Sequence, residues 1–272
     1  MKYIEYMKHI NFRKIARYIL IAVISYSVIF SLTCTYGMLK TYSYGKTILK
    51  DVKSLESTQP TQSAFMKNLQ KTSPKLEIKQ TFVPLDSISQ HLQKAVVAGE
   101  DASFYFHPGF DIRAIVEALE MNQKRNKIVF GASTLTQQLA KNMFLTTERS
   151  WERKFKEITY AILMEKYLGK NRILELYLNY AQWGQSIFGC EAAAQNYYKK
   201  SCASLSLDQS VNLAAMLASP GNHHPEMKDN RFMRDRRNVI YRNMFPPKDS
   251  LFVDSLKSLT APDPKDSVDV EQ

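Results

Sequence analysis

The chain has 272 residues, enough for one domain of ordinary size with an extension, or for two small ones. Lysine and arginine total 37 against 26 aspartates and glutamates, a formal charge of +11 that points to an anionic partner: nucleic acid, a membrane surface or a phosphorylated substrate. No nucleic-acid fold signature accompanies the charge, and the three cysteines, Cys34, Cys190 and Cys202, form no metal motif, so nucleic acid and a structural zinc are set aside.

Residues 1–17 form a basic segment, with Lys2, Lys8, Arg13, Lys14 and Arg17 against a single Glu5. From Tyr18 to Leu39 the chain runs 22 residues without a charge, and as a helix this reaches about 33 Å, enough to cross the hydrocarbon core. The run is longer than the apolar region of a cleaved signal peptide and no small-x-small site follows it, so residues 18–39 read as an uncleaved transmembrane anchor. The basic residues before the run narrowly outnumber Lys40, Lys46, Lys50 and Lys53 after it, which puts the N-terminus in the cytoplasm and the bulk of the chain outside. Residues 40–80 are polar with little period and read as a stalk. Helical patterns then follow one another from Leu85 to about Met244 with no convincing alternating run, so a mainly α domain is expected over 81–245, followed by a partly disordered tail, 246–272. Cys190 and Cys202 could pair only if the chain between them doubles back; a helix between them would hold them too far apart for a disulfide, and both are expected as small buried thiols.

Five stretches of this domain draw attention. In the first, Ile88, Leu92, Ala95, Val96 and Gly99 share one helical face, Asp86 or Ser87 can cap its start, and Gly99 can end it. Glu100 and Asp101 then sit where the helix gives way to the aromatic loop Phe104-Tyr105-Phe106-His107-Pro108-Gly109. A carboxylate that loses solvent there gains proton affinity and can act as a base, although an acidic pair at a helix end is by itself more commonly just solvated. Ile112, Ile115, Val116 and Leu119 mark the next helix, and Lys124, Arg125, Lys127, Ile128, Val129 and Phe130 follow as a basic and apolar run suited to a lipid headgroup surface or to a flexible loop. In the second stretch, Thr134 and Gln137 have capping-box spacing, and Gln138, Lys141 and Asn142 lie on the helix they start. A Ser/Thr-rich helix start followed by a lysine suits a phosphate, and equally an ordinary capped surface helix. The third, from Glu148 through Arg149, Arg153 and Lys154 to Glu157, puts Glu157 on the helical arc of Ala161 and Met164, so a carboxylate and a nearby ammonium need partners inside. The fourth, Lys170 to Asn179, reads as a core helix that braces the site through Glu175 and Asn179. The fifth is the apolar helix Leu213–Ala218, ended by Pro220-Gly221 and followed by a His223-His224 loop without a third metal partner nearby in sequence.

In this order and spacing the stretches resemble the glycosyltransferase family 51 peptidoglycan polymerases. The first motif stands here as EDASFYFHPGFD, the second as GASTLTQQLAKN, then an R-K-x-x-E over Arg153 to Glu157 and a K-x-x-I-L-E-x-Y-L-N over Lys170 to Asn179. The match covers about residues 81–245; the fifth stretch, ASPGNHHP, departs from the family's commoner form. The chain stops short of the transpeptidase domain that class A penicillin-binding proteins carry, so it resembles the monofunctional biosynthetic type. The resemblance implies a lysozyme-like α-helical domain with a small membrane-facing jaw, preceded by one transmembrane helix in the bacterial inner membrane, with the domain on the periplasmic side. It implies polymerisation of lipid II onto a growing glycan strand, with inversion at the donor sugar. Carried onto this chain, Glu100 is the base and Glu157 the second catalytic carboxylate. Lys141, Arg149, Arg153 and Lys154 hold diphosphates, with Ser133, Gln137, Gln138 and Asn142 nearby and Asp101 and His107 in support. No cofactor is implied as required, and no metal motif decides whether a divalent cation, Mg or Mn, assists. Partners would be the membrane and cell-wall synthesis or division proteins. A lysozyme-type peptidoglycan-cleaving enzyme is the alternative, and its substrate would not demand the cations.

Overall fold

In the computed structural model, residues 12–126, 131–146, 148, 150–227 and 229–246 are described. The chain divides into two compact units, residues 1–51 and 52–272.

The first unit is dominated by helix α1, Phe12–Ser54. Over its apolar stretch the mean hydropathy is 2.0 and the side chains are uncovered by protein, so the helix is long and apolar enough to cross a membrane. Several of its hydroxyls bond back to the helix. Ser27, Thr35 and Thr41 donate back to the carbonyls of Val23, Ser31 and Gly37 at 2.9, 2.8 and 2.9 Å, which hides each polar group inside the helix. Helix α1 continues well past Leu39, so the first part of the expected stalk is helical.

The second unit is mainly α, as the periodicity predicted. Helix α2 (Ala64–Thr72) starts at the Ser63 cap, buries Met66 and packs on a later helix, so the stalk segment carries built structure before residue 81. Two short strands, β1 (Lys79–Gln80) and β2 (Ile187–Phe188), pair in parallel, Lys79 opposite Ile187. Between them lie α3 (Gln90–Glu100), α4 (Ile112–Lys124), α5 (Leu135–Phe144) and the long α6 (Trp151–Tyr180), which breaks at Gly169. After β2 come α7 (Cys190–Tyr198), a 3-10 turn (Cys202–Ser204), α8 (Leu207–Met216) and α9 (Arg231–Met244).

The helices pack in two groups: α3, α8 and α9 against one another, and α5 against α6 with α2 on its side. Leu92, Val96, Leu135, Leu139, Met164, Ile173 and Trp183 are fully or almost fully buried between them. Each contributes about 1.5–3 kcal/mol of apolar burial, which holds the helix ends that carry the polar motifs.

Three local expectations are corrected. The cap of α3 is Ser89, not Asp86 or Ser87, which sit in a 3-10 turn, Leu85–Ser87; Ser89 Oγ donates to Leu205 O at 3.0 Å instead of capping. Gly99 does not end α3. It lies within the last turn, where a Cβ would meet Ile240 Cγ1 at 3.1 Å, so the absent side chain is what lets α9 approach. Cys190 and Cys202 are not held apart: the chain doubles back after α7 and their sulfurs lie 3.6 Å from each other. A fourth finding concerns α4, whose predicted apolar stripe faces outward. Ile112, Val116 and Leu119 are 64%, 48% and 64% exposed.

Candidate active site

The end of α3 and the start of α5 are tied together by the residues between them. Asp101, buried, accepts from Leu135 N at 2.9 Å, which fixes the first turn of α5 to the end of α3. His107 Nε2 lies 2.9 Å from Asp101 Oδ1, and Gly109 N donates to His107 Nδ1 at 3.2 Å. With Nδ1 accepting, Nε2 is the N–H that donates a hydrogen bond to the Asp101 carboxylate. Thr134 Oγ1 donates to Gly109 O at 2.7 Å, and Gln137 closes the expected capping box with Thr134. Behind this loop, Glu165 accepts from Thr136 Oγ1 at 2.6 Å and from Lys170 Nζ at 2.7 Å, and Lys170 also donates to His107 O at 2.7 Å. Asp101, His107 and Gln137 therefore spend their polar atoms on holding the motifs in place.

Glu100 occupies the last position of α3 with its side chain 9% exposed. Its Oε1 accepts from Arg236 Nη2 at 2.6 Å and its Oε2 from Gln138 Nε2 at 3.0 Å. Tyr177 OH donates to Gln138 Oε1 at 3.0 Å, which orients the amide so that its NH2 faces Glu100. Burial keeps the Tyr177 phenol protonated far above the ordinary range, so it remains a donor. Desolvation raises the proton affinity of Glu100, and the Arg236 charge and the Gln138 hydrogen bond pull it part of the way back. The direction matches the expectation, but the cause differs. Of the three aromatics expected to shield Glu100 only Phe104 is buried; Tyr105 and Phe106 are 52% and 50% exposed. The shielding comes from helices that converge on the end of α3.

A second cluster forms at the start of α6. Glu157, 4% exposed at its side chain, pairs with Lys154 and lies 3.3 Å from Arg153 Nη1. Lys154 Nζ also donates to Ser133 Oγ at 3.2 Å, which joins this cluster to the loop before α5. Buried Arg153 Nε and Arg236 Nε have no partner among the described residues. Lys141, on α5, keeps an open surface. Its pKa is nevertheless lowered, first by desolvation and then by the nearby Arg153 and Lys154 charges, with Glu157 and Glu100 opposing. Asn142 follows it, half-buried. Arg149 lies outside the described residues. A cleft of about 770 Å³ opens beside Glu100, lined among others by Ser103, Phe106, Arg113, Ser133 and Thr134; Lys141, Arg153, Lys154 and Glu157 are not among its lining residues, and Ser133 is the link between the cleft and their cluster.

Two residues here were not singled out from sequence, Arg236 and Tyr177. For Arg236 a signal existed: it falls in register with Met233 and Ile240, both buried, so a guanidinium stands on the inward stripe of α9. Glu175 and Asn179 brace more remotely. Glu175 accepts from Leu85 N at 2.9 Å, and Asn179 exchanges two hydrogen bonds of 2.9 Å with Val83, so they hold the chain that leads into α3.

A mainly α domain with a desolvated carboxylate at a helix end, and with Lys141 within electrostatic reach of both that carboxylate and the Arg153–Lys154 pair, is set up for group transfer, and comparison with known proteins names the class. Residues 66–245 match the family model described as Transglycosylase. The chain is 40% identical over 189 residues to a biosynthetic peptidoglycan transglycosylase of Nitrosospira multiformis, covering 68% of this chain and 82% of that one. It is 43% identical over 187 residues to one of Methylobacillus flagellatus (67% and 82%), and 50% identical over 143 residues to one of Thiobacillus denitrificans (53% and 62%). The chain belongs to the transglycosylase family, glycosyltransferase family 51, and is an enzyme of that class, a peptidoglycan glycosyltransferase.

Proposed function

We propose that the enzyme polymerises lipid II into glycan strands from the outer face of the bacterial inner membrane, with α1 as its single-pass anchor. In the proposed reaction Glu100 takes the proton of the acceptor sugar's 4-hydroxyl while that oxygen attacks the anomeric carbon of the donor. The bond from that carbon to the diphosphate breaks, the lipid diphosphate leaves with the electron pair, and the α linkage becomes a β-1,4 bond in one inverting displacement. The leaving group is already a stable anion and needs cations, not a strong acid. Lys141, Arg153 and Lys154 supply them, with Arg149 as a further phosphate ligand. Glu157 holds Arg153 and Lys154 in place. Ser133 and Asn142 contribute polar contacts along the cleft, and Gln138 orients the base.

The observation that carries this reading is the opposition of two environments along α5. Gln138 touches a carboxylate whose proton affinity is raised, and one turn later Lys141 senses the part-buried cations Arg153 and Lys154, with an Arg153 N–H that has no partner among the described residues. A lysozyme-type hydrolase has use for the first and none for the second. The outward apolar stripe of α4, with Arg113 and Lys124 on the same helix, suits the lipid surface on which such a substrate lies. A divalent ion, Mg or Mn, that assists would be held mainly by the substrate's own phosphates, since the protein offers it no ready cage. Both Glu100 and Glu157 are engaged by cations, and among the described residues no three His, Cys, Asp or Glu side chains gather. No step of the proposed reaction depends on one. Cell-wall synthesis or division proteins are the partners this role calls for.

The test is polymerisation of labelled lipid II, with rate and affinity measured separately. Glu100→Gln keeps shape and hydrogen bonding but cannot take the proton, so turnover should fall by about 100-fold or more with binding retained. Lys141→Ala should weaken substrate binding by about 1.5–3 kcal/mol, the value of a charge-assisted contact. A Glu100→Gln enzyme that polymerises at the wild-type rate, or release of cleaved sugars in place of polymer, refutes the reading.

A further inference from the structure

Nothing in the proposed reaction uses Cys190 and Cys202. Their sulfurs are 3.6 Å apart, both side chains are fully buried, and the third cysteine, Cys34, stands exposed on α1. The approach is built by the backbone and by neighbours, without help from sulfur. Helix α7 runs from Cys190 to Tyr198, and Lys199 adopts the left-handed conformation (φ 55°, ψ 34°) that turns the chain back. Glu191 then receives the returning strand: its Oε2 accepts from Cys202 N at 2.8 Å and from Ser201 Oγ at 3.0 Å. The first residue of α7 and the first residue of the following 3-10 turn are thus clamped side by side, and each presents a thiol to the other. A metal site is not the explanation, since among the described residues no third ligand joins them.

We propose that Cys190 and Cys202 are a disulfide site, which locks α7 to the 3-10 turn when the chain folds in the presence of a disulfide oxidant. In the step two S–H bonds break and one S–S bond forms. Two electrons and two protons pass to the oxidant, a low-molecular-weight disulfide, which leaves as two thiols. The contact with Cys190, then burial and the neighbouring Glu191, raise the proton affinity of Cys202, so thiolate is scarce in the finished fold and the bond forms while the chain is closing. The consequence reaches the active-site helix. Ser89 N, at the start of α3, donates to Cys202 O at 3.2 Å, so the cross-link also steadies the helix that ends at Glu100. In the cell the bond rests on the proposed outward placement of the domain, because an oxidising compartment is needed; the experiment below supplies its own oxidant and is independent of that placement.

The whole chain, in detergent, is reduced and unfolded, refolded in a mixture of glutathione and glutathione disulfide, then unfolded again and alkylated. Trypsin cuts after Lys199 and Lys200 and so separates the two cysteines. The expected result is a cross-linked pair of peptides, two hydrogens lighter than their sum, with alkyl only on Cys34. Reductant should then lower the melting temperature of the refolded protein by about 6–12 °C, the effect of opening a short loop in a domain of this size. The same reductant should not move the Cys190→Ala/Cys202→Ala protein. Refolded protein with both cysteines alkylated overturns the proposal, and so does an equal response to reductant in the double variant.

Discussion

Glu100 is pulled two ways. Its burial favours the protonated acid, and Arg236, at 2.6 Å, favours the carboxylate that a base must be. A raised pKa means that activity is lost as pH falls through it, at higher pH than for an ordinary glutamate. Arg236→Gln removes the largest opposing influence and should move this acid limb to still higher pH, while Arg236→Lys, which keeps the charge, should leave it nearer its place. Arg236→Gln with an unmoved acid limb in a kcat profile over about pH 5 to 9 would show that the guanidinium only braces α9. Lys141 works at the other limb. Its lowered pKa means that its charge is lost as pH rises earlier than for an ordinary lysine, so diphosphate affinity should fade on that side.

At the scale of the elements, the site exists because α3 and α5 meet end to end. Gly109 makes that meeting possible: its φ is +94°, and a Cβ would come within 3.0 Å of Glu165 Cγ and 3.1 Å of Ala161 O on α6. Its carbonyl receives Thr134 and its N–H serves His107, so a displaced backbone here loosens both motifs together. Gly109→Ala should cost about 1–3 kcal/mol and lower the melting temperature by roughly 3–10 °C. Polymerisation should fall more than stability alone explains, because Glu100 and α5 would lose register. Calorimetry alongside activity checks this, and an alanine variant that melts and polymerises like wild type would remove the glycine from the account.

For the whole molecule, the unit that begins at Val52 holds the buried core helices, and α1 is apolar with no burial over its membrane-length stretch. A chain lacking residues 1–40 should fold and polymerise lipid II in detergent. On substrate held in a bilayer it should be slower than the full chain, since the anchor raises its effective concentration at the surface. Loss of the helical circular dichroism signal in the shortened chain would make α1 part of the fold.

Sequence alone determined whatever rests on periodicity and local chemistry. The uncharged run of 18–39, the helices, the Thr134–Gln137 capping box and the inward arc of Glu157 follow from spacing, because a helix repeats its faces regardless of what lies against them. The motif spacing likewise led to Glu100 and to the family. Tertiary structure decided what depends on which distant segments meet. Arg236 reaches Glu100 from more than a hundred residues away, Tyr177 orients Gln138 across two helices, and the apolar stripe of α4 turns outward although its period is that of a core helix. Cys190 and Cys202 belong here too: helical spacing keeps them apart, and only the left-handed turn at Lys199 and the Glu191 clamp bring them together. Spacing along a chain specifies a face, and the partner of that face is chosen by packing between elements, which no single segment encodes.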